Sequence, residues 1–194
     1  MGYQTDVRVL TVSDENASDD NRIVEAARPD TTATLANTNF ASGGARNIIV
    51  TTTGTGDNGK TTTITGTDVF GNSLSETITS TSSAEAVAGS KLFLTVSAVE
   101  CSAKYAADIK VGSGTLCAQA IGGGARVRLK GMSITSGGTA GTISFINGTP
   151  ETGTTLFKAR TIGTANDVVD RTIPAEGLLF ASGMSVSYTV DHAD

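Results

Sequence analysis

Apolar and polar residues alternate along most of this chain with a period of two, and β-branched residues dominate the alternating runs. That pattern predicts half-buried strands, because successive side chains of a strand point to opposite faces. Thr61–Thr67, reading Thr-Thr-Thr-Ile-Thr-Gly-Thr, is the clearest case. The same reading predicts strands at Val7–Val12, Thr32–Leu35, Asn47–Thr53, Lys60–Asp68, Leu74–Thr81, Lys91–Val99, Ala106–Val111 and Thr115–Ile121. Further on it predicts Arg126–Thr135, Thr142–Asn147, Thr154–Thr161, Val168–Ile173 and Met184–Asp191, with an apolar run at Leu178–Phe180. Turn signals separate them at Gly43-Gly44, Asp57-Asn58-Gly59, Gly71-Asn72, Gly112-Ser113-Gly114, Gly137-Gly138, Asn147-Gly148, Gly163 and Pro174–Gly177. An imperfect alternation through Val127, Leu129, Met132 and Ile134 predicts a bulge near Gly131. Along Leu74, Glu76 and Ile78 one face mixes two aliphatics with a carboxylate, so that face is expected to be only partly buried.

Short strands at such regular spacing indicate a sandwich or jelly roll rather than βαβ units. The predicted fold is all-β: two consecutive β-sandwich or jelly-roll-like modules behind an extended N-terminal arm. The arm spans residues 1–30 and carries one short helix over Ile23–Ala27, with Ser18 or Asp19 as its N-cap. The first module spans 31–121 and the second 125–194, because Gly122-Gly123-Gly124 is too flexible for a strand interior.

One segment imitates a nucleotide site. Gly54, Gly59, Lys60 and Thr61 satisfy the phosphate-loop pattern G-x-x-x-x-G-K-[ST], and Gly54, Gly56 and Gly59 satisfy G-x-G-x-x-G. Both patterns bind phosphate only where a helix follows, since its N-terminal N–H groups hold the anion. Thr61–Thr67 is unfit for a helix. Asp57-Asn58-Gly59 between β-branched runs is instead read as a hairpin turn of type I′. An enzyme using Gly54–Thr61 for a nucleotide is the competing reading.

Composition narrows the function further. Of 194 residues, 38% are apolar, 5% aromatic and 17% charged, and Trp is absent, so any core is small and aliphatic. A net charge of −5 disfavours an electrostatic nucleic-acid binder, which needs a basic face. Arg126, Arg128 and Lys130 do share one strand face, read as a solvated face or a subunit contact. Met1–Leu10 lacks the apolar core of a secretory signal, and no apolar run is long enough for a membrane helix. A soluble protein made in a cytosol, with no membrane partner, is expected. Cys101 and Cys117 are then expected as free thiols, with pairing across adjacent strands as the alternative.

Candidate chemistry is thin. Asp14, Asn16, Ser18 and Glu25 fit positions of a calcium loop, but Asp19 stands where that loop needs glycine. Glu76, Glu85, Glu100, Glu151 and Glu176 are scattered, and no aromatic platform for sugar accompanies them. His192 is the single histidine, and there is no G-x-S-x-G nucleophile elbow. No catalytic, cofactor or metal residue is assigned, and no enzyme activity is expected. Tyr3, Tyr105 and Tyr188 are too few to favour a carbohydrate-binding or adhesion module.

The segment Thr65-Gly-Thr-Asp-Val-Phe-Gly-Asn-Ser-Leu-Ser-Glu-Thr-Ile78 resembles a stretch common in small β-rich structural proteins of tailed bacteriophages. Ser90–Val99, Ala107–Gly112, Gly137–Phe145 and Ile173–Phe180 are similar to segments of phage head and tail proteins. The resemblance implies a virion component without an active site, most like a capsid cement or decoration protein. It further implies a homo-oligomer, a trimer, bound to the major capsid protein or other virion proteins on the capsid exterior after assembly in the host cytoplasm. A tail or fibre-attachment component is the alternative within the virion.

Overall fold

A computed structural model describes residues 18–40, 43–81, 85–174 and 176–189. The fold is all-β, with no α-helix among the described residues. Its strands are β1 (Val24–Ala27), β2 (Ala45–Thr52), β3 (Thr61–Thr67), β4 (Ser73–Thr79), β5 (Ala86–Phe93), β6 (Thr95–Cys101) and β7 (Ile109–Ile121). There follow β8 (Val127–Leu129), β9 (Gly131–Thr135), β10 (Thr142–Asn147), β11 (Thr154–Arg160), β12 (Val168–Thr172), β13 (Leu178–Phe180) and β14 (Met184–Thr189).

One seven-stranded antiparallel sheet runs the length of the molecule in the order β11-β10-β14-β7-β2-β5, with β1 also paired to β7. The 13-residue β7 is its spine. The first half of β7 lies between β1 and β2, and its last six residues, Leu116–Ile121, pair with β14. A three-stranded sheet, β4-β3-β6, forms the second layer of the first region, and the pairs β8–β13 and β9–β12 form that of the second. The arrangement is sandwich-like.

The alternation of β3 does what its sequence predicts. Thr62 and Ile64 turn inward, while outward threonines pair across strands, Thr63 Oγ1 with Thr77 Oγ1 at 3.0 Å and Thr67 Oγ1 with Thr95 Oγ1 at 2.7 Å. Ile64 joins Ile48, Val50, Phe93, Val99 and Val111 in a dry first core. The second core gathers Phe145, Ala159, Phe180, Met184 and Val186, surrounded by half-buried side chains such as Phe157, Met132 and Tyr188. The two cores fall on either side of Gly122–Gly124, whose φ angles of 76°, 61° and 83° turn the chain sharply. The hydrogen-bonded sheet nevertheless continues past that turn, through β7 and β14.

Several expectations need correction. Ile23–Ala27 forms no helix: Val24–Ala27 is strand β1, and Ile23 and Val24 are buried in the first core. Residues 18–30, counted with the arm, are therefore built into the first region. Gly112-Ser113-Gly114 is not a turn but lies inside β7. Glycine is needed there for close approach, since a Cβ on Gly112 would lie 1.9 Å from the Asp19 carbonyl oxygen. A bulge at this point of the β2–β7 ladder is filled by β2 side chains. Arg46, 1% exposed, donates Nε and Nη2 to the Gly114 carbonyl at 3.2 and 2.7 Å, and Asn47 Oδ1 accepts from Leu116 N at 2.9 Å.

Lys91–Val99 is two strands, because the chain leaves the large sheet as β5 and enters the small one as β6. Thr32–Leu35 makes only a single bridge, Thr32 to Glu100. Arg126–Thr135 divides into β8 and β9. The Asp57-Asn58-Gly59 turn joins no hairpin either: β2 pairs with β5 and β7, whereas β3 pairs with β4 and β6. The predicted strand Val7–Val12 lies outside the described residues.

Candidate functional site

The phosphate-loop string is the natural place to look for chemistry, and its geometry gives it another task. After β2 the chain makes one 3-10 turn, Thr55–Asp57, and then a type II turn. Asn58 sits at φ −58° and ψ 131°, Gly59 at φ 75°, and Lys60 N donates to the Asp57 carbonyl at 3.2 Å. Gly59 supplies the positive φ that this turn type requires. Strand β3 follows directly, so no helix N-terminus faces the loop. Two of the loop amides are bonded within the protein, Gly59 N to the Ser80 carbonyl at 3.0 Å and Lys60 N to Asp57.

Lys60 is held just as firmly. Its Nζ donates to Asp57 Oδ1 at 2.8 Å and to the Lys104 carbonyl, and it lies 5.4 Å from the centre of the Tyr105 ring. Asp57, wholly buried, also accepts from Ala106 N at 2.6 Å and Ala107 N at 3.1 Å. Burial alone raises the Asp57 carboxyl; the Lys60 ammonium and those two backbone N–H groups outweigh it and hold the group below its ordinary 3.8. Tyr105 completes the cluster, its hydroxyl bonded to Thr62 Oγ1 at 2.7 Å and Ser80 Oγ at 3.2 Å. The string Gly54–Thr61 thus clasps the β2–β3 crossing onto residues 104–107. A phosphate would have to displace a buried carboxylate from its lysine, at the cost of an uncompensated buried charge.

The other singled-out residues are dispersed. Glu76 on β4 reaches the edge of β5, where Oε1 accepts Ser90 N at 2.8 Å and Oε2 accepts Lys91 N at 3.2 Å. Glu151 Oε1 accepts Leu92 N at 2.8 Å, tying a turn of the second region to the first. Glu85, Glu100 and Glu176 are exposed. Arg126, Arg128 and Lys130 occupy the exposed positions of the β8 segment, alternating with half-buried Val127 and Leu129. Cys101 and Cys117 are buried and not joined in a disulfide. Burial pushes the Cys101 thiol up, a hydrogen bond with Thr62 opposing it, so thiolate is scarce at neutral pH.

Of the calcium-like set, Ser18 and Glu25 are exposed and Asp14 and Asn16 lie outside the described residues, as do Tyr3 and His192. No three His, Cys, Asp or Glu side chains converge as a metal site among the described residues. Tyr105 is buried and Tyr188 half-buried.

What sequence reasoning missed is the treatment of strand edges. In the first region β6 and β5 are guarded, while β4 pairs only with β3 among the described residues and meets β5 through the Glu76 side chain. Edge strand β6 is flanked by residues 31–39, through Ala33 N to the Val99 carbonyl at 2.9 Å and Val96 N to the Thr38 carbonyl at 2.8 Å. Edge strand β5 has the amides of Ser90, Lys91 and Leu92 bound by Glu76 and Glu151. In the second region, among the described residues, β11 pairs only with β10, and the two-stranded sheets β12–β9 and β13–β8 have no further strand beside them. The outer sides of β11 and β12 are open among those residues. No local sequence signal reports an open edge, because pairing is decided by residues far away in the chain. In comparisons with known proteins, no family model, no curated protein and no solved structure matches this chain.

Proposed function

We propose that this chain is a non-enzymatic structural protein of a tailed-bacteriophage virion, a capsid cement or decoration protein that binds across shell subunits. The observation that carries the reading is the contrast between the covered edges β5 and β6 of the first region and the strands β11 and β12 of the second, which have no further strand partner among the described residues. A rigid body with open strand edges can add strands from neighbours through main-chain hydrogen bonds. Repeated over a lattice, weak contacts of this kind gain strength from effective concentration. The resemblance of residues 65–78 to phage structural proteins supports the same reading. So does the use of Lys60 and Asp57 as a structural clasp, which withdraws the nucleotide-like string from chemistry.

In this role the protein self-associates and docks on the major capsid protein from outside, without nucleic acid, membrane or cofactor. Co-sedimentation with empty capsids of tailed bacteriophages tests it. The protein is expected to pellet with the shells, saturably, and to raise their resistance to heat. Protein that remains in the supernatant at all ratios contradicts the role and favours a tail or adhesion component.

A further inference from the structure

We infer that β11 of one copy pairs with β12 of a second copy, and that Lys158 and Asp170 carry the specificity of that contact. The inference deepens the self-association part of the proposed function, but nothing in it needs a shell.

Four observations converge on these two strands. Both are edges with no further strand partner among the described residues. Their outward faces are complementary: β11 presents Leu156, Lys158 and Arg160, and β12 presents Val168, Asp170 and Thr172, all exposed. A parallel alignment sets Leu156 beside Val168 and Lys158 beside Asp170 at the same time. Leu156 is 40% and Val168 52% exposed, an unusual expense for large aliphatics on open strands.

The charges are also unused within the chain. The ion pairs Arg28–Asp108, Asp57–Lys60, Asp30–Lys104 and Asp20–Lys110 lie between residues 20 and 110. The side chains of Lys158, Arg160, Asp167 and Asp170 make no ion pair or hydrogen bond within the described residues. Finally, residues 125–194 hold six basic and six acidic residues, while the excess negative charge sits in the preceding part. The second region can therefore meet a copy of itself without net repulsion. A contact between unlike patches on each copy closes into a ring where the rotation between copies allows it and otherwise runs on as a filament.

Sedimentation of the full chain over a concentration series reads the contact directly. The wild-type protein is expected to associate, and Lys158→Asp or Asp170→Lys alone to loosen association by about tenfold or more through like-charge apposition. The double exchange should restore it to within about threefold of wild type, which no folding defect would do. As an independent readout, Leu156→Cys and Val168→Cys chains mixed under mild oxidation should cross-link to each other, and neither should cross-link alone. A monomer at every concentration overturns the inference. So do single reversals without effect, a double exchange no tighter than either single, or equal cross-linking in the unmixed chains. Failure to bind capsids with this pattern intact would instead count against the virion role alone.

Discussion

The two regions are built from the same strands and turns, yet they end differently. The first encloses a large, mostly aliphatic core and guards two of its edges, with a carboxylate at β5 and an extended segment beside β6. The second has five buried core residues, a rim of half-buried side chains and open edges at β11 and β12. Aliphatic burial stabilises roughly in proportion to the apolar area removed from water, so the first region is the anchor of the fold. The lesson is that edges within one molecule differ in how they are covered, and an uncovered edge is a place where a partner can add a strand.

Core truncation should show the contrast at its largest. Phe93→Ala empties a fully buried site in the first core and is expected to cost about 3–5 kcal/mol. Phe157→Ala, at a half-buried position of the second core, should cost about half as much. Urea unfolding measures both, and equal losses would remove the distinction between the cores.

The clasp comes next. Lys60→Ala leaves the buried Asp57 carboxylate without its cation, at a cost of about 2–3 kcal/mol given that Lys60 is partly exposed. Because the folded Asp57 carboxyl lies below 3.8, its stabilisation is present above that value and is lost as pH falls through the folded value. Asp57→Asn should flatten this acid limb of the stability profile; an unchanged limb would show that other carboxylates govern it. Neither variant is expected to alter nucleotide binding, since none is expected in the parent.

Glu76→Gln should have a smaller effect, about 1 kcal/mol, because its carboxylate is partly solvated. It should also leave Ser90 and Lys91 amides less well bound, turning the β5 edge toward the condition of β11. Faster amide exchange confined to β5 would mark that change. Smallest of all, Lys158→Asp should shift folding stability by less than about 0.5 kcal/mol, since the residue is exposed and unpaired.

Much of the strand pattern was legible. Lys60–Asp68 by its β-branched run and Leu74–Thr81 by alternation announce themselves, with turn residues at their ends, and both form strands close to those bounds. Ile23–Ala27 misled because Ile-Val-Glu-Ala-Ala has no strong local preference, and pairing with distant β7 decides its state. Gly112–Gly114 misled because glycine serves close packing as readily as turning. The clasp was half legible: the motif string drew attention to Lys60, and the β-branched run after it excluded a helix. Its partners Tyr105 and Ala106, some 45 residues away, carry no mark of their role. Open and guarded edges were not legible at all, since they depend on which strands find each other.

Amide hydrogen exchange at low and high protein concentration tests the central claim most directly. Peptides covering Thr154–Arg160 and Val168–Thr172 are expected to gain protection as concentration rises, while Thr61–Thr67 and Thr95–Cys101 stay equally protected throughout. Protection that rises instead along β5 or β6, or nowhere, would contradict it.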